Sequence, residues 1–191
     1  MKETLRIAVL MTLITTVLFG LIYPLAVTGF AQLLFPFKAN GSLIYSHGTI
    51  VGSRLLGQAF TGRGYFHSRP SAAGDGYDAA NSGGSNLAPT NHVLLDRVKG
   101  DVEKLHAENP GAPIPVDLVT TSASGLDSDI SPDAAEFQIP RVAKERGMNA
   151  SDLRAIVARH TLGRQLGVLG EPRVNVLELN MELDAVGAVK K

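Results

Sequence analysis

"SRPSAAGDGYDAANSGGSNLAPTN", Ser68 to Asn91, decides whether this chain carries one folded domain or two parts joined by a spacer. Its composition is that of a flexible linker, small and polar, with too little apolar surface to order itself by burial. Yet Arg69, Tyr77, Tyr65, Phe66 and Leu87 sit in or beside it at intervals a spacer does not need. The flanks decide the reading. A hairpin pattern precedes the stretch and an amphipathic helix follows it, so it is expected to be a long loop inside a single domain.

The hairpin is "GSLIYSHGTIVGSRLLG", with β-prone runs at Leu43-Ile44-Tyr45 and Thr49-Ile50-Val51 around a turn at Ser46-His47-Gly48. On the other side, Leu94, Val98, Val102 and Leu105 recur at helical spacing, with Thr90 or Asn91 placed to cap and Pro110-Gly111 to stop the helix. A short strand is expected at Val116 to Thr120, then a Ser/Gly/Asp loop. Ser131-Pro132 reads as a helix start, a capping hydroxyl followed by a proline whose missing N–H is harmless in the first turn. That helix should bend at Pro140 and end near Gly147. Asn149 and Asp152 open another, with Leu153, Ile156, Val157 and His160 on one face. In the tail, Leu177, Leu179, Met181 and Leu183 alternate with Glu178, Asn180 and Glu182, the pattern of a half-buried strand. Val174 and Val176 are out of phase with them, so a bulge or a strand passing into a helix is expected. The sum is a small α+β (mixed α/β) domain.

Outward from the domain the composition changes abruptly. The 191 residues carry zero formal net charge and are 45% hydrophobic, yet no charged residue lies between Arg6 and Lys38. "IAVLMTLITTVLFGLIYPLAVTGFAQLLF", Ile7 to Phe35, exceeds the ~20 apolar residues that a helix needs to cross a bilayer. Lys2 and Arg6 precede it, so the positive-inside rule expects residues 1–6 in the cytoplasm and a single external domain over 38–191. A cleaved secretory signal is the competing reading, with small residues at Gly29 and Ala31. Such signals have apolar regions of only about 7–15 residues, which favours an uncleaved anchor in the lipid bilayer. Ala8, Thr12, Thr16, Gly20, Pro24 and Thr28 recur every four residues, and small side chains at that spacing allow close approach of another helix. Thr12, Thr16 and Gly20 are the candidate partner-helix contact.

Little in the sequence promises chemistry. The chain has no cysteine, which excludes disulfides and thiolate catalysis. Its balanced charge offers no nucleic-acid footprint. Histidines at 47, 67, 92, 106 and 160 lack the paired spacing of a zinc site, so no metal is expected. His47 and His106 read as surface residues, and His160 as one that caps or packs. Asp127, Asp129 and Asp133 form a loose acidic cluster without the glycine and glutamate of a calcium loop, and Asp133 suits a first helical turn. No nucleophile elbow, P-loop or dinucleotide fingerprint occurs, so no catalytic residue is assigned. "NSGGSN", Asn81 to Asn86, could form a concave anion site from successive backbone N–H groups. Ser82, Gly83, Gly84, Ser85 and Asn86 are therefore the candidate nucleotide or anion contacts, although Gly/Ser runs of this kind are common in ordinary loops. Arg69, Tyr77 and Asn91 are candidates for a partner-facing loop.

Several blocks in one order carry a resemblance over essentially the whole chain. They are "NGSLIYSHGTIVGSRLLGQ", "YFHSRPSAAGDGYDAANSGGSNLAPTN", "PVDLVTTSASGLDSDISPDAA", "IPRVAKERG" and "LGRQLGVLGEPRVNVLELN". With the N-terminal span, the chain resembles the C subunit of the Kdp potassium-transporting P-type ATPase. Departures are His47, where the family often has an acidic or amide residue, and Ala88, where glycine is usual. The resemblance implies a non-catalytic accessory subunit of a high-affinity potassium importer in the bacterial inner membrane. Its implied partners are a channel-like A subunit, an ATP-hydrolysing B subunit and a small F subunit. It also implies a catalytic-chaperone role that raises the ATP affinity of the B subunit, and it likens Ser82 to Ser85 to the signature motif of ABC ATPases, so ATP is a family-implied ligand. The positive-inside topology puts that motif on the external face, where ATP is scarce. A direct nucleotide-binding subunit and a free-standing anchored binding protein stand as alternatives.

Overall fold

The structure, a computed structural model, describes residues 1–46 and 48–187. The chain divides into two compact units, with the boundary between Val51 and Gly52. The first is dominated by one apolar helix, Lys2–Leu34, long and apolar enough to cross a membrane. It comprises α1 (Lys2–Val17), a π turn at Leu18–Ile22 and α2 (Tyr23–Leu34). The π turn has a local cause. Pro24 has no N–H to offer the Gly20 carbonyl and its ring crowds that carbonyl, so the helix widens, and the Tyr23 N–H reaches back to the Leu18 carbonyl. Thr15 satisfies its hydroxyl on its own helix, donating to the carbonyls of Met11 at 2.8 Å and Thr12 at 3.1 Å. A single turn, α3 (Pro36–Ala39), follows. The expected hairpin is present as β1 (Leu43–Ser46) and β2 (Thr49–Ser53), paired in a two-stranded sheet. Of its expected turn, His47 lies outside the described residues.

The second unit is mixed helix and sheet, in keeping with the α+β expectation. Its helices are α4 (His92–Glu108), α5 (Pro132–Arg146), α6 (Ala150–His160) and α7 (Val176–Val186). Three very short strands, β3 (Asp129–Ile130), β4 (Thr161–Leu162) and β5 (Arg173–Asn175), form an antiparallel sheet in the order β3-β5-β4. Ile130 and Thr161 both pair with Val174, which is fully buried at the centre.

Helix α5 is the hub of the core. Ala134, Ala135, Phe137, Ile139, Val142 and Ala143 are all buried, leaving a narrow exposed stripe of Asp133, Glu136, Pro140 and Lys144, with Glu145 exposed beside its end. Pro140 sits on that stripe, and the helix runs continuously through it. The Ser131 hydroxyl accepts from the Ala134 N–H at 3.0 Å, and Gly147 ends the helix in the left-handed region at φ 64°. Leu153, Ile156 and Val157 of α6 are buried as expected, while His160 is half-buried. Its ring nitrogen lies against the Glu182 carboxylate. The α4 stripe Leu94, Val98, Val102 and Leu105 is only half-buried, and Asn91, not Thr90, caps that helix.

Two expected strands are corrected. Val116–Leu118 is a turn of 3-10 helix, entered from Pro115 and held because Asp117 accepts from the N–H and hydroxyl of Ser131 at 2.8 and 3.1 Å. Leu177 to Leu183 belongs to α7, the second of the two outcomes foreseen for the phase change at Val174 and Val176. Asn175 decides it: its side chain accepts from the Glu178 N–H at 3.1 Å and starts the helix where β5 ends. In the helical register Val176, Leu179, Asn180 and Leu183 share the buried face, so Asn180 is inside rather than exposed.

Candidate functional site

The Ser68–Asn91 loop has little regular structure, yet two sets of polar contacts hold it and the segment before it. The first set grips residues 62–67. Backbone here makes a turn at 62–65, closed by the Tyr65 N–H on the Gly62 carbonyl at 3.1 Å, and runs on irregularly through Phe66 and His67 without a strand partner; α5 and α7 supply side chains in place of one. Asn180 accepts from the Phe66 N–H at 2.9 Å and donates to the Phe66 carbonyl at 2.9 Å. Gln138 does the same for His67, at 2.8 and 3.1 Å. Arg141 donates to the Arg63 and Tyr65 carbonyls and Arg146 to that of Gly64. The carbonyls of Arg63, Gly64, Tyr65, Phe66 and His67 are thus all taken by side chains. Both arginines are buried, which requires that their charge and fork of donors be matched. Arg141 is paired to Glu108 at 2.8 Å and to Gln138 at 2.7 Å. Arg146 is paired to Asp184 at 2.8 Å and lies over the Tyr65 ring, 4.8 Å from its centroid.

The second set clasps the loop to residues 120–127. Arg69 forms an ion pair with Asp127 at 3.0 Å and donates to the Thr120 hydroxyl at 3.3 Å. Tyr77 turns back and donates its hydroxyl to the Arg69 carbonyl, so these two candidates meet. Ser71 accepts from the Tyr77 N–H at 2.8 Å and donates to the Gly125 carbonyl at 2.6 Å. Ala73 is fully buried against this crossing. Gly125, at φ 67°, is required there: a Cβ would stand 2.6 Å from both the Ala73 nitrogen and the Gly83 carbonyl. Burial pushes the Tyr77 hydroxyl's pKa up, opposed by the Ser68 hydroxyl beside it. Burial, then the nearby Arg141 charge, lowers that of His67. Asp78 is held below the usual carboxylate range by the Asn81 amide at 2.6 Å and the Ala80 N–H at 2.9 Å.

The candidate anion residues lie on the same clasp. The Ser82 hydroxyl and the Gly83 N–H both donate to the Ser124 carbonyl, each at 2.9 Å. A Cβ on Gly84 would stand 3.1 Å from the Ala123 carbonyl, so this glycine serves a close approach of two backbones. Asn86 sits in the left-handed region at φ 51°. Two of the donors that a phosphate cradle would use are therefore committed within the fold. Asn91 stands apart from Arg69 and Tyr77 in role, capping α4 by accepting from the Val93 N–H at 2.8 Å. Thr12, Thr16 and Gly20 belong to the first unit; all are exposed, and a Cβ on Gly20 would meet only the Thr16 methyl, at 3.9 Å.

The acidic cluster resolves into separate pairings. Asp127 holds Arg69, and Asp129 pairs with Arg173 at 2.9 Å and accepts from Asn175 at 2.9 Å. Asp133 occupies the first turn of α5. No group of metal-ligating side chains is assembled among the described residues. A cleft of about 380 Å³ lies beside the loop, lined among others by Phe60, His67, Arg69, Tyr77, Leu105 and Glu108.

Sequence reasoning singled out Arg69 and Tyr77 but not Gln138, Arg141, Arg146 or Asn180. Their signal is a polar residue inside an otherwise apolar helical stripe, as Gln138 between Ala134 and Val142. For Asn180 that signal is invisible until the tail is read as helix.

A family profile described as "KdpC: K+-transporting ATPase, c chain" matches residues 5–185. Among similar proteins, one from Koribacter versatilis named "Potassium-transporting ATPase KdpC subunit" is 64% identical over 184 residues, covering 96% of this chain and 95% of its own. A protein of the same name from Methylobacterium nodulans is 58% identical over 196 residues, covering 96% of each chain. One from Acidobacterium capsulatum is 59% identical over 181 residues, covering 94% of this chain and 97% of its own.

Proposed function

Since the chain belongs to the KdpC family, the C chain of K+-transporting ATPase, we propose that it acts as a non-catalytic accessory subunit that assembles and stabilises an ATP-driven potassium importer. The observation that carries this reading is that the match runs through the apolar helix and the folded domain together, at nearly full length on both sides. In this reading Lys2–Leu34 crosses the bacterial inner membrane once, with Lys2 and Arg6 on the cytoplasmic side and residues 38–191 outside. Thr12, Thr16 and Gly20 form the narrow face against a partner helix. The loop Ser68–Asn91 faces a neighbouring subunit, the channel-like A subunit in preference to the B or F subunits. Arg69 and Tyr77 fix the loop's shape, and Asn91 fixes where α4 begins.

The chain raises the ATP affinity of the B subunit through contacts between subunits, not by holding nucleotide. Support comes from Ser82 and Gly83, whose donors go to the Ser124 carbonyl. The deciding experiment measures ATPase activity of the assembled complex with and without this chain, and ATP binding by the full-length chain in detergent. A higher KM for ATP without the chain, and no saturable binding to the chain alone, is the expected pair. Saturable binding that disappears on changing Gly83 would instead establish the nucleotide-binding alternative. A reporter fused after Lys191 tests the topology, and cytoplasmic activity of that reporter would reverse the external placement.

A further inference from the structure

Between β4 and β5 the chain forms a tight hairpin whose apolar tip is largely exposed. Leu166 is 90% exposed, Val168 72% and Leu169 55%. The tip is nonetheless ordered by its own backbone: Gln165 and Leu169 exchange both N–H···O bonds, at 2.8 and 2.9 Å, and the Val168 N–H closes the turn on the Gln165 carbonyl at 3.2 Å. Leu166 at φ 53° and Gly167 at φ 77° make it a turn with two left-handed central residues. Asn, Asp and Gly suit the first of those positions, and an apolar side chain there is disfavoured by its Cβ. Leu166 thus carries a conformational cost that no burial within the chain offsets, and strain of this kind points to use elsewhere.

We propose that the tip Gln165–Leu169 is an apolar plug that seats in a socket on a neighbouring polypeptide of the transport complex, an inference that rests on the accessory-subunit reading above. The rim favours a protein over a lipid surface. Residues 161–172 contain no aromatic side chain and a single cation, and that cation, Arg164, is neutralised by Glu171 at 2.7 Å. Interfacial membrane anchors rely on aromatic rings and unpaired basic side chains. A small apolar centre ringed by paired charges and an amide, Gln165, matches instead the centre and rim of a protein interface. In that setting a few residues at the centre of the contact carry most of its strength.

Because the chain has no cysteine, Leu166→Cys places a unique thiol at the tip. Its reaction with a water-soluble maleimide should slow at least about tenfold in the assembled complex relative to the isolated full-length chain. A thiol-directed photocrosslinker there should join it to a partner subunit. Equal labelling in both states, or crosslinks only to lipid or to a second copy of the chain, overturns the plug. Leu166→Asn provides the second arm, since it suits the turn and removes the apolar contact. It should melt no lower than the parent chain, yet be retained by the tagged complex at least about tenfold less. Full retention of Leu166→Asn overturns the plug while leaving the accessory role standing. Failure of the unaltered chain to co-purify overturns both.

Discussion

Residues 62–84 and the hairpin 161–172 invert what their compositions suggest. The first is irregular, glycine-rich and polar, yet its backbone groups are held by side chains from α5 and α7 and by the 120–127 loop. The second has regular hairpin bonding and apolar side chains, yet those side chains are exposed. In these two segments order therefore follows where hydrogen bonds close rather than where apolar residues occur. A polar segment becomes rigid when each carbonyl has a partner, and a hairpin can hold its shape from its own turn while offering its side chains outward.

The contrast can be broken most severely at Arg146. Arg146→Ala takes the side-chain donor from the carbonyls of Gly64 and Gly187, and leaves that of Leu183 with the Gly187 N–H alone. It should destabilise the full-length chain by about 3–5 kcal/mol, the range for removing one partner of a buried charged network. Thermal melting in detergent reads this, and a loss below about 1 kcal/mol would mean that the clamp is not what holds the segment. Asn180→Leu is the next test. Its similar size preserves packing, but the Phe66 N–H and carbonyl lose their partners in a buried site, with an expected cost of about 2–3 kcal/mol in the same assay.

A pH titration sharpens the same point through His67, whose folded pKa lies below its ordinary value of 6.5 because of burial and Arg141. Above 6.5 both folded and unfolded forms are neutral and its contribution is flat. As pH falls below 6.5 the unfolded state takes up the proton first, so stability declines until the folded pKa is passed. Asp78 and Glu182, both held below their ordinary values, contribute above the normal carboxylate range and lose that contribution only at more acidic pH. Melting curves of His67→Gln should therefore be flatter just below pH 6.5, with the acidic limb retained. An unchanged slope there would remove His67 from the account. The smallest effect belongs to the hairpin: Leu166→Asn should leave stability within about 0.5 kcal/mol of the parent, on the stabilising side. A large loss would show that the tip packs against its own domain after all.

Much of this was readable in advance, for identifiable reasons. The apolar run without charge could only be a long helix, and the caps at Asn91, Ser131 and Gly147 act through neighbours a few residues away. The starts of α4, α5 and α6 followed from the same local rules. Where local cues were ambiguous the reading failed. Leu177, Leu179 and Leu183 satisfy both a two-residue and a helical repeat, and only the Asn175 cap, helped by contacts to Arg54 and Asp129, selects the helix. At the candidate site, Arg69 and Tyr77 stood out because they are large residues among small ones. Gln138 and Arg141 did not, because their partners lie more than seventy residues away along the chain.

By itself, the sequence determined the membrane-length helix, the family, and the place of Ser68–Asn91 inside one domain rather than between two. Each rests on composition, or on a pattern that neighbouring residues complete among themselves. The tertiary structure alone decided that this stretch is clasped, that the donors of Ser82 and Gly83 turn inward to Ser124, and that Leu166 points outward. Those outcomes depend on which distant carbonyl or amide arrives within about 3 Å, a distance set by the packing of the helices and loops.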